Sequence, residues 1–177
     1  MLVSALLRAK ELASKGVELF ASPALKFFLY NDINRERFKS DPKCLENFIL
    51  LDDNDIWTAL KVWCNHNDII LATLSQGMVN REIFKVEVSP TPCTEERLNT
   101  ISERIAKQLH ISKEDTRYFI STPSIEKNMY NPADDSIDIL YNDGSTTNIA
   151  EASDMLHLSV LSKKVKKYYI CYLREKK

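Results

Sequence analysis

The hydrophobic pattern of the chain changes near residue 81, and this change is the strongest constraint on its fold. Before it, apolar residues recur three and four positions apart, which is the spacing of one face of an α-helix. After it, short segments alternate between apolar and polar residues, as half-buried β-strands do. We therefore expect an α+β fold, with an N-terminal helical segment over residues 1–80 and an α+β C-terminal lobe over residues 81–177. In this fold the helical segment is packed with a mostly antiparallel sheet and further helices.

Five helices are predicted in the helical segment, because four of them begin at a residue that commonly caps helix N-termini. Ser22 and Asp41 each precede a proline, and Asp52 and Asp68 each precede apolar residues at helical spacing. The first helix begins at the N-terminus of the chain and ends near Gly16. Short connections between the five indicate one helical layer.

Five strands and two helices are predicted in the C-terminal lobe. The strands cover residues 83–88, 116–122, 137–141, 146–149 and 165–173. Asn142-Asp143-Gly144 is typical of a hairpin turn between the third and fourth strands. One helix begins at the capping residue Thr94 and has its apolar residues on one side, and the other covers residues 152–161.

The low numbers of glycine and histidine exclude several classes of site. The 177 residues include three glycines and three histidines, and both sets are scattered. A Walker loop or a dinucleotide-binding fingerprint needs two or three glycines within a few residues, so both are excluded. The four cysteines form no C-x-x-C pair, which indicates reduced thiols in the cytoplasm. No apolar run reaches the roughly 18 residues of a membrane span, so we expect a cytoplasmic protein with no membrane partner.

The densest carboxylate cluster consists of Asp52, Asp53 and Asp55. A metal loop would need further oxygen ligands and a glycine for its sharp turn, and neither is present. The cluster lies where a helix is expected to begin, so we interpret it as a cap. The sequence thus offers no catalytic residue and no metal ligand in this chain.

The C-terminal strand is rich in cations and tyrosines. Its residues of these types are Lys163, Lys164, Lys166, Lys167, Tyr168, Tyr169, Tyr172, Arg174, Lys176 and Lys177. Such a strand can bind single-stranded nucleic acid through phosphate contacts and base stacking. Lysines also protect a sheet edge from aggregation, which is the favoured interpretation. A stand-alone interaction or single-stranded nucleic-acid-binding module remains the alternative function.

Arg81 and Lys85 lie four positions apart where the helical segment gives way to the first strand. If that strand begins at Arg81, both side chains project from one face of it. Two cations on one face can bind a phosphate chain. The pair is therefore a candidate phosphate site.

Blocks along nearly the whole chain resemble the C-terminal half of HD-superfamily phosphohydrolases, in particular the bacterial deoxynucleotide triphosphohydrolase-like branch. The main blocks are Leu51-Asp52-Asp53-Asn54-Asp55-Ile56-Trp57, Asn80-Arg81-Glu82-Ile83-Phe84-Lys85, Tyr130-Asn131-Pro132 and Ile139-Leu140-Tyr141-Asn142-Asp143-Gly144. In this family an N-terminal H…HD…D set of ligands holds a divalent metal that activates water for attack on a phosphoester. The chain has no His-Asp dipeptide, so the resemblance implies that the metal-binding HD domain lies upstream of residue 1 and that this chain alone is inactive.

The resemblance also implies what this portion does in the longer protein. It should pack on the protein's own HD domain, take part in a homo-oligomer and bind an effector nucleotide. Arg81 and Lys85 match an Arg-x-x-x-Lys pair that contacts allosteric nucleotides in an animal relative. Tyr130 stands where that relative has a lysine, so a role in packing and oligomerisation alone stays open.

Overall fold

The structure, a computed structural model, describes residues 1–127, 138–148 and 165–175. Its α-helices are α1 Leu2–Ser14, α2 Pro23–Tyr30, α3 Arg35–Ser40, α4 Pro42–Leu50, α5 Asp53–Trp63, α6 Ile69–Val79 and α7 Glu95–Leu109. Its strands are β1 Lys85–Ser89, β2 Ile120–Ser121, β3 Ser124–Lys127, β4 Asp138–Leu140, β5 Thr146–Asn148 and β6 Val165–Tyr172. A 3₁₀ turn covers Glu114–Tyr118. The α+β fold class is confirmed.

The chain divides into two compact units. The first comprises Met1–Val86, Thr94–Ser121 and Cys171–Lys177, and the second comprises Glu87–Cys93 and Thr122–Ile170. These bounds are drawn from compactness, and the functional division into residues 1–80 and 81–177 stays a prediction.

The predicted helix caps are confirmed. Ser22 accepts a hydrogen bond from the backbone N–H of Leu25 at the start of α2, and Asp41 caps α4. Asp52 and Asp55 form a capping box at the start of α5, in which each side chain accepts a backbone N–H of the other. The Asn54 side-chain amide and two backbone N–H groups lower the pKa of Asp52. The carboxylate cluster is therefore a helix cap, as predicted.

The core of the first unit contains two clusters of apolar side chains. In the helical part, α1 and α5 both pack against α6, and Ala9, Leu60, Trp63 and Leu74 are almost completely buried. The Trp63 indole N–H donates to the Phe20 carbonyl at 3.0 Å, which satisfies its one polar group. The second cluster includes four residues that flank α7 or lie on it, namely Phe84, Ile105, Leu109 and Phe119.

A charged network connects α1 with the 3₁₀ turn. The Glu11 carboxylate accepts hydrogen bonds from Lys15 at 2.6 Å and from the Tyr118 hydroxyl, and it lies 3.3 Å from Arg8. The bond from Lys15, followed by that from Tyr118, lowers the pKa of Glu11 to about 2. This network fixes the 3₁₀ turn against the helical part of the first unit.

The strands are antiparallel where their register is given. β2 pairs with the end of β6 through Ile120 opposite Tyr172, and β3 pairs with its beginning through Lys127 opposite Val165. β6 lies between β1 and β2 in sheet order. β4 and β5 form a separate hairpin, and Gly144 at its turn has φ +83°, a conformation that favours glycine.

Two predicted strands are wrong in detail, and two elements were missed. Residues 116–122 are mostly not a strand, because Thr116 donates to the Lys113 carbonyl and Ser112 accepts from the N–H of Asp115, which stabilises a 3₁₀ turn instead. The helix α3 and the strand β3 were not predicted. β1 begins at Lys85 and not at residue 83. The predicted helix over residues 152–161 lies outside the described residues.

Candidate phosphate-binding site

The segment that carries Arg81 leaves α6 through a strained turn. The Asn80 N–H bonds to the Gln76 carbonyl at 2.8 Å and closes the helix. Arg81 then has φ +60°, a left-handed conformation that non-glycine residues rarely adopt. Arg81 therefore precedes β1 and is not part of it. The premise that Arg81 and Lys85 share one strand face is wrong.

Arg81 lines a cavity of about 650 Å³ at the end of α6. The other polar or charged residues that line it are Thr73, Gln76, Asn80, Glu82, Gln108, Arg174 and Glu175. The guanidinium groups of Arg81 and Arg174 make no hydrogen bond and no ion pair with any residue that the structure describes. Both guanidinium groups can thus bind an anion, although the carboxylates of Glu82 and Glu175 line the same cavity.

Lys85 lines a second cavity, of about 390 Å³, together with Arg104, Tyr172, Arg174 and Glu175. The Lys85 ammonium lies 5.8 Å from the centre of the Tyr172 ring, and the Arg104 guanidinium lies 5.5 Å from it. Both distances allow a cation–π interaction. The buried ring of Tyr172 is thus in contact range of two cations.

Arg104 is fixed in place by the backbone and side chains at the end of β6. Its Nη2 donates to the Leu173 carbonyl at 2.7 Å, and its Nε lies 3.7 Å from a Glu175 carboxylate oxygen. Its Nη1 is buried and has no hydrogen-bond partner among the described residues. An unsatisfied buried donor is rare and is costly unless a further acceptor is supplied.

The two cavities share Arg174 and Glu175, so they are neighbours. Together four cations line them, Arg81, Lys85, Arg104 and Arg174, against the carboxylates of Glu82 and Glu175. The structure thus places the two predicted residues in adjacent cavities instead of on one strand face. The sequence does not point to Arg104, and it places Arg174 only within the basic C-terminal segment.

The basic C-terminal segment is partly described. Lys163, Lys164, Lys176 and Lys177 lie outside the described residues, as does Tyr130. Tyr172 is buried, and Tyr168 and Tyr169 are half-buried. Of these three rings, that of Tyr172 is thus closed to base stacking. Binding of single-stranded nucleic acid stays a prediction.

An apolar surface lies on the helical part of the first unit. It includes a groove of about 470 Å³ between α1, α2, α3 and α4, which contains Phe28, Phe38 and Phe48. Beside the groove, α4 exposes Leu45, Phe48, Ile49 and Leu50, each by more than half of its surface. We call this groove and the exposed residues of α4 the α4 surface. Contiguous exposed apolar area of this kind marks an interaction site.

Comparison with known proteins gives matches among solved structures. No protein-family model matches the sequence, and no curated protein matches it. The chain is 69% identical over 98% of its length to a phosphohydrolase from Bacteroides thetaiotaomicron VPI-5482, whose crystal structure superposes with a TM-score of 0.93. The chain spans 43% of that protein's length. The predicted resemblance to a phosphohydrolase is therefore confirmed. No described helix is long and apolar enough to cross a bilayer.

Proposed function

We propose that this chain is the regulatory and oligomerisation part of an HD-type, metal-dependent phosphohydrolase that acts on nucleotides. The observation that carries the proposal is the 69% identity, over 98% of the chain, to less than half of a phosphohydrolase. The four cations around the two cavities support a role in binding phosphate groups. In this proposal a longer protein, called the intact protein below, contains this chain after its catalytic HD domain.

The catalytic metal belongs to the HD domain in this proposal. Among the residues that the structure describes, no group of three or more His, Cys, Asp and Glu side chains could hold a metal ion. Asp52 and Asp55 are used in the capping box of α5. In this proposal the described residues of this chain therefore supply no ligand to the catalytic metal.

Arg81 and Lys85 contact the phosphates of an effector nucleotide in the intact oligomer. A guanidinium group binds two phosphate oxygens at once, and an ammonium group adds a compact charge. The effector regulates the enzyme if the oligomer binds it more tightly than the separate subunits do. A ligand shifts an equilibrium only through such differential affinity.

The α4 surface supports the HD domain as a partner within the same protein. Its side chains are apolar, and the ammonium of Lys10 at the groove donates to the carbonyls of Phe28 and Asn31. More than half of the similar phosphohydrolase lies outside the region that this chain matches. That remainder is of sufficient size to cover the surface.

The 177-residue chain alone should not hydrolyse nucleotides, because the proposed metal ligands lie in the HD domain. Deoxynucleoside triphosphates and a phosphomonoester would be incubated with the chain and with Mn²⁺, Mg²⁺, Ni²⁺ or Co²⁺, and released phosphate would be measured. The intact protein, assayed in parallel, is the positive control. Robust turnover by the isolated chain would show that the active site does not depend on the HD domain, and the proposal would be wrong.

The double variant Arg81→Ala/Lys85→Ala should bind dGTP or GTP at least about 100-fold more weakly than the wild-type intact protein. Each hydrogen bond to a charged group contributes about 1.5–3 kcal/mol, so losing two corresponds to at least that factor. Isothermal titration calorimetry gives the affinities. The matched control is Arg35→Ala/Lys39→Ala, an exposed pair with the same spacing on α3 that lines neither cavity. Equal affinities for the wild type and both variants would refute the nucleotide site.

A further inference from the structure

Arg174 lies far from Arg81 and Lys85 in the sequence, so the short spacing of those two residues does not indicate that Arg174 belongs to the same site. It lies two residues after the end of β6, and it is the one basic residue, among those the structure describes, that lines both cavities. The first cavity contains Arg81, and the second contains Lys85 and Arg104. Arg174 is therefore within reach of a ligand that extends from the cavity of Arg81 into the cavity of Lys85.

Three hydrogen bonds fix the backbone at Leu173 and Arg174. The Leu173 N–H donates to the Phe119 carbonyl at 3.1 Å, and the Leu173 carbonyl accepts from Arg104. The Arg174 carbonyl accepts from the Gln108 side-chain amide at 3.2 Å. The start of this side chain is thus fixed, while its guanidinium group is exposed and makes no ion pair with a described residue. This combination suits a group that binds an external anion.

The charges along the two cavities favour a ligand with several anionic groups. Arg81 and Arg174 lie at one cavity beside Glu82 and Glu175, and Arg174, Lys85 and Arg104 lie at the next beside Glu175, so four cations outnumber two carboxylates. A single phosphate occupies one cavity and satisfies part of this set. A linear chain of phosphates can extend past Arg174 and meet cations in both cavities.

We propose that Arg174 is a further phosphate-binding residue, which joins the Arg81 and Lys85 cavities into one site for a linear chain of two or more phosphates. This inference rests on the proposed function, because it concerns the same effector site. Arg104 acts as a positioning residue, since it holds the Leu173 carbonyl and the Tyr172 ring. The phosphate chain can come from a nucleoside triphosphate or from an inorganic polyphosphate.

The test is calorimetric binding of dGMP, dGDP, dGTP and inorganic tripolyphosphate to the intact protein. For Arg174→Gln, we expect the affinity for dGTP to fall at least about 10-fold and the affinity for dGMP to fall by a clearly smaller factor, because a chain of phosphates contacts Arg174 from both cavities and a single phosphate contacts it from one. Arg174→Lys should recover part of the loss, since it restores the charge without the planar fork. Arg35→Gln, the same change on exposed α3, should bind all four ligands like the wild type. Thermal unfolding of each variant checks that it is folded.

The possible results distinguish a failure of this inference from a failure of the proposed function. If Arg174→Gln binds dGTP like the wild type while Arg81→Ala/Lys85→Ala does not, Arg174 is not a phosphate ligand and the nucleotide site stands. If Arg174→Gln weakens dGMP and dGTP equally, the joined site is wrong. If the wild-type protein binds none of the four, both proposals are wrong. Tripolyphosphate binding equal to that of dGTP identifies the phosphate chain as the recognised group, and weaker binding shows that the nucleoside also contributes.

Discussion

Asp68→Ala should lower the free energy of unfolding of the 177-residue chain by about 4 kcal/mol. Asp68 accepts from Arg8 Nε at 3.1 Å and from Arg8 Nη2 at 2.6 Å, and the two side chains are 15% and 12% exposed. Removing one partner of a largely buried ion pair costs about 3–5 kcal/mol, and the lower end applies here because Arg8 keeps Glu11 at 3.3 Å and Asp115 at 3.9 Å. Asp68 also caps α6 by accepting from the Leu71 N–H, which adds about 1 kcal/mol. Urea unfolding followed by circular dichroism measures the loss.

Asp41→Ala is the matched control for this loss. Asp41 also caps a helix, α4, but its ion pair with Arg37 is more exposed and longer, at 3.8 Å. Its replacement should cost about 1 kcal/mol, the value of a cap. If both variants lose the same amount, the Arg8–Asp68 pair contributes nothing beyond the cap.

The stabilisation that Asp68 contributes depends on pH in a definite direction. Burial alone would raise the pKa of Asp68, but hydrogen bonds from Arg8 and from the Leu71 N–H outweigh it and hold the pKa below its usual value. The stabilisation is therefore complete above the unfolded-state pKa of about 4 and is lost as the pH falls through the folded-state pKa. The difference in stability between the wild type and Asp68→Ala should be constant from about pH 5 to 8 and shrink below about pH 4.

Ile49→Asp should destabilise the intact protein much more than the isolated chain. Ile49 is 72% exposed in the chain, where a surface substitution changes the free energy of unfolding by about 0.5 kcal/mol. In the intact protein the proposed HD domain covers this residue, so the substitution buries an unpaired charge and should cost at least about 2 kcal/mol. Thermal and urea unfolding of both proteins, each with and without the substitution, give the two differences.

Glu46→Asp on the same helix is the control for the α4 surface. Glu46 is exposed and charged, so an aspartate there should have a small effect in both proteins. An equally small effect of Ile49→Asp in both would mean that the HD domain does not cover the α4 surface. In that case gel filtration of the isolated chain shows whether a second copy covers it.

Local patterns predict the helices of this protein well, because caps and hydrophobic periodicity act within a few residues. α4, α5 and α6 all begin at the aspartates that the sequence indicates. α3 escapes prediction because it has six residues and buries none of them, so it has no apolar periodicity. In the 3₁₀ turn, side-chain hydrogen bonds of Ser112 and Thr116 outweigh a strand-like composition.

The candidate site is less predictable because it depends on tertiary contacts. Arg81 and Lys85 are recognisable from their short separation. Arg174 lies far from them in the sequence and reaches the same cavities because its segment is held against Phe119 and Gln108. Arg104 lies on α7, where its side chain bonds to the Leu173 carbonyl. No spacing of residues along the chain encodes these contacts.

The left-handed conformation of Arg81 lowers the stability of the fold, while the arginine side chain supplies a charge to the first cavity. A glycine at this position would relieve backbone strain of about 1 kcal/mol or more and would stabilise the fold. It would also remove the charge at the first cavity. Replacing Arg81 by glycine would therefore exchange the charge for a relaxed backbone, whereas replacing it by alanine would remove the charge and keep the strain.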